Sequence, residues 1–159
     1  MNLAGQLFDL NSPLFHTYAV TAAIMLLKLM LQPWMTVQRM LKVNAGLRSP
    51  EDIKVSPMNP TPDPAQLEVN EYVERSRRMN LNDLESIPGF LIAGLLFVIA
   101  GPPLLFAQIL LWTYVVARAL HFVAYATAQI HDIRATFWTF SSLPVLIMAG
   151  YTLYRALAA

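Results

Sequence analysis

The stretch Val73–Leu91, VERSRRMNLNDLESIPGFL, decides how the chain must be read. It gathers Glu74, Arg75, Arg77, Arg78, Asn82, Asp83 and Glu85, then passes without interruption into the apolar run Ile87–Ala100. As one helix, its first half is densely charged and its second half belongs in lipid. Arg78, Asn82 and Glu85 stand at i, i+4 and i+7, so at about 3.6 residues per turn they share one face. That face offers a cation, an amide and a carboxylate on successive turns, descending toward a membrane. Groups of this kind are costly at such depth unless something polar lies against them.

The chain around this stretch has 159 residues, 56% hydrophobic and 13% charged, with a mean hydropathy of +0.46. Those proportions fit an integral membrane protein and not a soluble globular one. The length suits one compact unit. A formal net charge of +1 gives no field that argues for nucleic acid. With no cysteine, this chain offers no disulfide frame, no thiolate-ligated metal and no nucleophilic thiol of its own. Met1–Pro13 carry no basic n-region, and the apolar run that follows is too long for a cleaved signal, so a retained first span is expected.

A spanning helix needs about 20 mostly apolar residues. Four stretches qualify: 14–40, with Pro33 as a kink; 71–100, stopped by Gly101-Pro102-Pro103; 104–130; and 133–157, with Pro144 as a bend. Ser12 and Pro13 suit the N-cap and the first helical position. The expected architecture is an all-α, four-transmembrane-helix bundle forming a single membrane domain over 1–159. The links after the second and third spans are short, which predicts antiparallel neighbours. Residues 43–70 hold Pro50, Pro57, Pro60, Pro62 and Pro64, which predicts an extended, solvent-exposed connection. One short turn is expected at Ser49–Asp52, capped by Ser49. Arg39, Lys42, Arg48, Lys54, Arg75, Arg77 and Arg78 flank or lie in this loop, and Arg134 lies in the third link on the same side. Only Arg155 sits near the opposite side. The basic bias places both links in the cytoplasm and both termini away from it.

At about 1.5 Å of rise per residue, Lys28 lies about 21 Å, and Asp83 and Arg118 about 18 Å, from the cytoplasmic ends of their helices. An isolated charge in a bilayer costs about 2.5–3.5 kcal/mol, so matched depth predicts a structural Lys28–Asp83 pair between the first two helices. Arg118, His121 and Tyr125 stand at i, i+3 and i+7 on the third helix. A lone histidine in a core is usually satisfied by its neighbours. Three aligned polar groups, running toward the end where Arg78, Asn82 and Glu85 lie, favour a ligand-lining face instead. Trp112, Tyr114, Trp138, Tyr151 and Tyr154 read as interfacial or packing aromatics. The fourth helix opens on His131-Asp132-Ile133-Arg134. A helix N-terminus carries roughly half a positive charge, and Arg134 in the first turn sharpens it into an anion site; the plainer reading is a headgroup anchor. His131 and Asp132 read as solvated, and the three histidines are too scattered to hold a metal.

Taken together these residues resemble the MAPEG family, the membrane-associated proteins of eicosanoid and glutathione metabolism. VERSRRMNLNDLE, with its arginine pair followed by Asn-Asp-x-Glu, carries most of the likeness. Pro50-Glu51-Asp52, Arg118-x-x-His121-x-x-x-Tyr125 and Ile133-Arg134 extend it from Lys28 to the fourth span. Leu81 and Ala135 are similar to the microsomal glutathione transferase 1 branch. The prostaglandin E synthase branch usually has arginine and serine there, and a tyrosine near the place of Trp138. Asn80 departs from the histidine usual in both.

The resemblance implies a homotrimer that holds glutathione between subunits, near the cytoplasmic side, and takes a lipophilic electrophile from the lipid bilayer. By position, Arg78 and Arg118, with Arg39 and Arg77, would meet the glutathione carboxylates. Glu85 would meet the γ-glutamyl ammonium, and Asn82, His121 and Tyr125 would complete a polar wall. Arg134 would face the sulfur as the catalytic residue. The implied activity is glutathione transfer to lipophilic electrophiles, with reduction of lipid hydroperoxides beside it. A prostaglandin E synthase-type isomerase and a non-enzymatic lipid-binding scaffold are the alternatives. The scaffold reading expects degraded thiol-binding arginines, and a small transporter would show a polar stripe through the whole span. Here the arginines are present and the polar groups gather on one side. The implied membrane is the endoplasmic reticulum in a eukaryote or the inner membrane in a bacterium.

Overall fold

Four long helices run through the chain: α1, Pro13–Val43; α2, Glu71–Ile99; α3, Leu104–Ala126; and α4, His131–Leu157. The structure is a computed structural model that describes residues 9–158; residues 1–8 and 159 of the expected domain, including most of the Met1–Pro13 segment, lie outside the described residues. Three helical segments are long and apolar enough to cross a membrane: Pro13–Val43, Pro64–Ile99 and Leu104–Ala126. At 27 residues α4 has the length to cross as well, but His131, Asp132, Arg134, Ser141 and Ser142 make its first half polar. Among the described residues there is no strand element, and the architecture is an all-α membrane bundle.

The helix ends follow local chemistry, not always as expected. Pro13 occupies the first position of α1, but the Ser12 side chain makes no capping bond, and neither does Ser49. Asn70 is the effective cap of α2: its side-chain oxygen accepts from the Tyr72 and Val73 amides at 3.1 and 3.4 Å. Glu71 and Glu74 then complement the helix dipole. Gly101, at φ +67°, makes the left-handed turn between α2 and α3. α3 stops at Ala126, four residues short of the expected end. The Thr127 hydroxyl donates to the Val123 carbonyl at 2.8 Å, and the Gln129 amide donates to the Ala124 carbonyl at 2.9 Å, closing the helix as Ala128 turns to φ +59°.

Side-chain fit decides which helices meet. α1 packs along α2 and α3 along α4, whereas α2 and α3, joined by a short link, pack far less extensively than either pair. There, the Phe90 and Tyr114 rings stack with centroids 3.9 Å apart, and the Tyr114 and Ser86 hydroxyls hydrogen-bond at 2.9 Å. Phe97 meets Tyr151 of α4 edge-on at 5.2 Å. Against α1, a Cβ at Gly94 would lie 3.1 Å from the Tyr18 ring, whose hydroxyl donates to the Leu91 carbonyl at 2.9 Å. Glycine at 94 is what lets α1 and α2 come this close.

The proline-rich connection is not extended, and the expectation for it is corrected. It folds into 3-10 turns at Pro50–Asp52 and Pro64–Leu67, with an isolated bridge between Ser56 and Asn59. A buried glutamine organises it. The Gln66 amide donates to the side-chain oxygens of Asn44 and Asn59 at 2.7 and 3.1 Å, and its oxygen accepts from Asn59 at 2.7 Å. Asn44 in turn caps α1 in the left-handed region, at φ +47°. The prolines removed backbone donors and a side chain supplies the missing bonds. Gln66→Ala would remove the side-chain bonds that join Asn44 to Asn59, costing roughly 0.5–1.5 kcal/mol each. Limited proteolysis within 44–70 is expected to quicken while the helices stay protected; unchanged cleavage would show that the loop is held elsewhere.

Candidate functional site

Three helices bring polar groups together at the end of the bundle where α3 turns into α4. The tight turn 127–130 places Tyr125, at the end of α3, beside Arg134 in the first turn of α4. The Arg134 guanidinium lies 4.5 Å from the centre of the Tyr125 ring. The Asn82 amide of α2 donates to the Tyr125 hydroxyl at 3.4 Å and to the Arg78 carbonyl at 3.0 Å. His121, one turn before Tyr125, meets its ring edge-on at 5.0 Å. The i+4 spacings thus become contacts within α2 and within α3, and Tyr125 joins α3 to both α2 and α4.

Two groups here are short of partners. The Nε of half-buried Arg134 is itself buried and has no hydrogen-bond partner. Glu85 is exposed on a face of α2 it shares with Leu81, Leu84 and Ile92, and it has no ion pair among the described residues. Arg78 is 45% exposed and pairs with Glu71.

Other arginines expected at a ligand are engaged within the chain. Arg39 is buried; it donates to the Tyr72 carbonyl at 2.9 Å and lies 4.3 Å from the Tyr72 ring centre, tying α1 to the start of α2. Arg77 pairs with Glu74 and donates to the Gly46 carbonyl at 2.5 Å, clasping the connection to α2. Arg118 is fully buried and pairs with Asp83 through Nη2, while its Nε and Nη1 have no partner. Lys28 also pairs with Asp83, as matched depth predicts, and lies 5.4 Å from the Phe122 ring centre. One carboxylate therefore serves two cations from two helices.

A concavity of about 540 Å³ opens between α1 and α2, with Pro33, Thr36, Asn80, Leu81, Arg77 and Arg78 in its wall. The Asn80 side-chain oxygen is buried there without a partner. Arg48 reaches the same wall and pairs with Glu74 at 2.5 Å. Nothing in the sequence joined Arg48 to Glu74, because the two stand 26 residues apart, outside any helical periodicity.

The chain is 49% identical over 61 residues to microsomal glutathione S-transferase 1 of Rattus norvegicus, covering 38% of this chain and 39% of that protein. Over 90 residues it is 38% identical to the protein of the same name from Bos taurus, 57% of each. Over 84 residues it is 34% identical to prostaglandin E synthase of Homo sapiens, 53% of this chain and 55% of the relative. The chain thus spans between about two fifths and three fifths of the length of these relatives. The description of the MAPEG family matches residues 17–154. That range runs from the second turn of α1 to the last turns of α4 and takes in every helix of the bundle, so the chain belongs to the MAPEG family.

Proposed function

We propose that this protein is a membrane-bound glutathione transferase, acting as a homotrimer with its site toward the cytoplasm. The observation that carries the reading is Arg134: a cation in the first turn of a helix, seated on an aromatic ring, with a buried donor left unpaired. A helix N-terminus and a guanidinium together favour an anion at that point. The fourth helix is taken to cross the membrane with the other three. The host membrane is the endoplasmic reticulum in a eukaryote or the inner membrane in a bacterium.

The donor set fits glutathione. Two carboxylates, an ammonium and a thiol require cations, one carboxylate and a final positive group. Exposed Arg78 and the wall of Asn82, Tyr125 and His121 suit the carboxylates and amides of the tripeptide. Glu85, unpaired on an apolar face, suits the ammonium. A bare carboxylate on such a face also favours coverage by a second subunit, since lipid would leave it unsolvated. Arg39, Arg77 and Arg118 are assigned to the scaffold that holds these groups, because their contacts lie within the chain.

When bound, glutathione supplies the sulfur nucleophile: a carbon–sulfur bond forms, a halide leaves with its bonding electrons, and the thiol proton passes to solvent. Arg134 stabilises negative charge at the sulfur. A free thiol ionises near pH 8.5, and an adjacent cation lowers that by one to several units. The Trp112-to-Leu120 face of α3 and Phe137 and Phe140 of α4 form an apolar groove from which a lipophilic electrophile can approach. Lipid hydroperoxide reduction is assigned as a side activity, two thiols yielding one alcohol, one water and one disulfide.

A glutathione-dependent isomerase is the second reading, favoured by the 34% identity to a prostaglandin E synthase and opposed by Ala135 and Trp138. Detergent-purified protein is expected to conjugate glutathione to 1-chloro-2,4-dinitrobenzene faster than the detergent blank. No conjugation, together with no heat on titrating glutathione into folded protein, would remove the transferase reading.

A further inference from the structure

We propose that Tyr125 is a positioning residue for Arg134: its ring face is the platform that fixes where the guanidinium presents its charge. The inference rests on the reading above, in which that charge faces the glutathione thiol. Five observations support it. Arg134 forms no ion pair among the described residues, and its Nε has no hydrogen-bond partner, so the ring 4.5 Å away is the contact that locates it. Tyr125 is itself held at both ends of its ring system. Its hydroxyl accepts from Asn82 at 3.4 Å, and His121 braces its edge at 5.0 Å with planes inclined by 62°. Its backbone is fixed too, the Ala128 amide donating to its carbonyl at 3.1 Å.

The chemistry explains why a ring and not a carboxylate does this. A carboxylate would hold the guanidinium but cancel its charge. An aromatic face holds a cation through its quadrupole and leaves the net charge available to an approaching anion. The ionisable groups near this contact are His121, Arg118 and Asp83 with Lys28 behind it, and on α4 Asp132, which is exposed beside His131. None of them meets the guanidinium in an ion pair.

The test follows two signals in detergent-purified full-length protein: ultraviolet absorbance of bound glutathione thiolate against pH, and the NMR shift of the Arg134 Nε–H in ligand-free protein. In the parent, the thiol is expected to ionise below its free value and the Nε–H to carry an aromatic ring-current shift. Tyr125→Phe keeps the face and is expected to keep both. Tyr125→Leu is expected to lose the ring-current shift and raise the bound thiol's pKa by roughly one unit, about 1.4 kcal/mol of thiolate preference. A Leu variant with the parent's thiol pKa overturns the inference alone. So does a Phe variant that shifts as far as Leu, since the hydroxyl would then be the active part. A parent lacking the ring-current shift overturns it without any variant having to fold. A parent whose bound thiol ionises at its free value overturns the transferase reading and this inference together.

Discussion

Asp83→Ala is expected to lower the unfolding temperature of the detergent-purified protein by roughly 10 °C. Asp83 is 1% exposed and Arg118 fully buried, and Asp83 also receives Lys28. Removing one partner of a buried pair costs about 3–5 kcal/mol, because the remaining charge stays buried and uncompensated. Here two cations would be left, one on α1 and one on α3, at a depth where lipid offers neither an anion. The expected loss is therefore at the upper end of that range. Lys28→Met provides the contrast. It leaves Asp83 and Arg118 matched one to one, and it removes the half-buried member, 17% exposed, which also contacts Phe122 and Gln32. It is expected to lose much less stability than Asp83→Ala. Equal losses in the two variants, or an Asp83→Ala protein that melts with the parent, would show that the triad does not tie α1, α2 and α3 together.

The triad also shows what the sequence could and could not disclose. Helical rise alone put Lys28, Asp83 and Arg118 at one depth, so the Lys28–Asp83 pair was legible. Arg118 was assigned to a ligand because it shares a face with His121 and Tyr125. Periodicity fixes which face a residue is on, but the choice among partners at that face depends on how helices rotate against one another. The same limit applies to Arg39 and Arg77: the Arg77–Glu74 pair follows helical spacing, but both arginines also donate to backbone carbonyls, of Tyr72 and Gly46, which no side-chain pattern reports. The connection 43–70 was misread for a related reason. Five prolines do forbid a long helix, yet Gln66 and its asparagine partners lie 7 and 22 residues apart, so their network has no local signature. By contrast Asn82, Tyr125 and Arg134 were each named from spacing or a helix start, and the structure adds the contacts among them.

Arg134→Ala is expected to lower conjugation about 10²- to 10³-fold near neutral pH while leaving glutathione affinity within a few-fold of the parent. The asymmetry follows from what the side chain touches. The proposed carboxylate and ammonium contacts lie with Arg78, Asn82 and Glu85 on α2, and the contact proposed for Arg134 on α4 is with the sulfur alone. If its removal raises the bound thiol's pKa by roughly two units, the thiolate fraction below both pKa values falls about 100-fold. The sign of the pH dependence is then fixed. Stabilised thiolate means a depressed pKa in the parent, so the advantage over the variant is greatest below that pKa and shrinks as pH rises from it toward the free thiol's value. Above that value the thiol ionises unaided, and the two rates converge. Arg134→Lys keeps the charge but loses the planar group that rests on Tyr125, so an intermediate rate is expected. A rate deficit that stayed constant across the whole pH range would assign Arg134 to the leaving group or to the electrophile, and a variant as fast as the parent would remove it from the reaction.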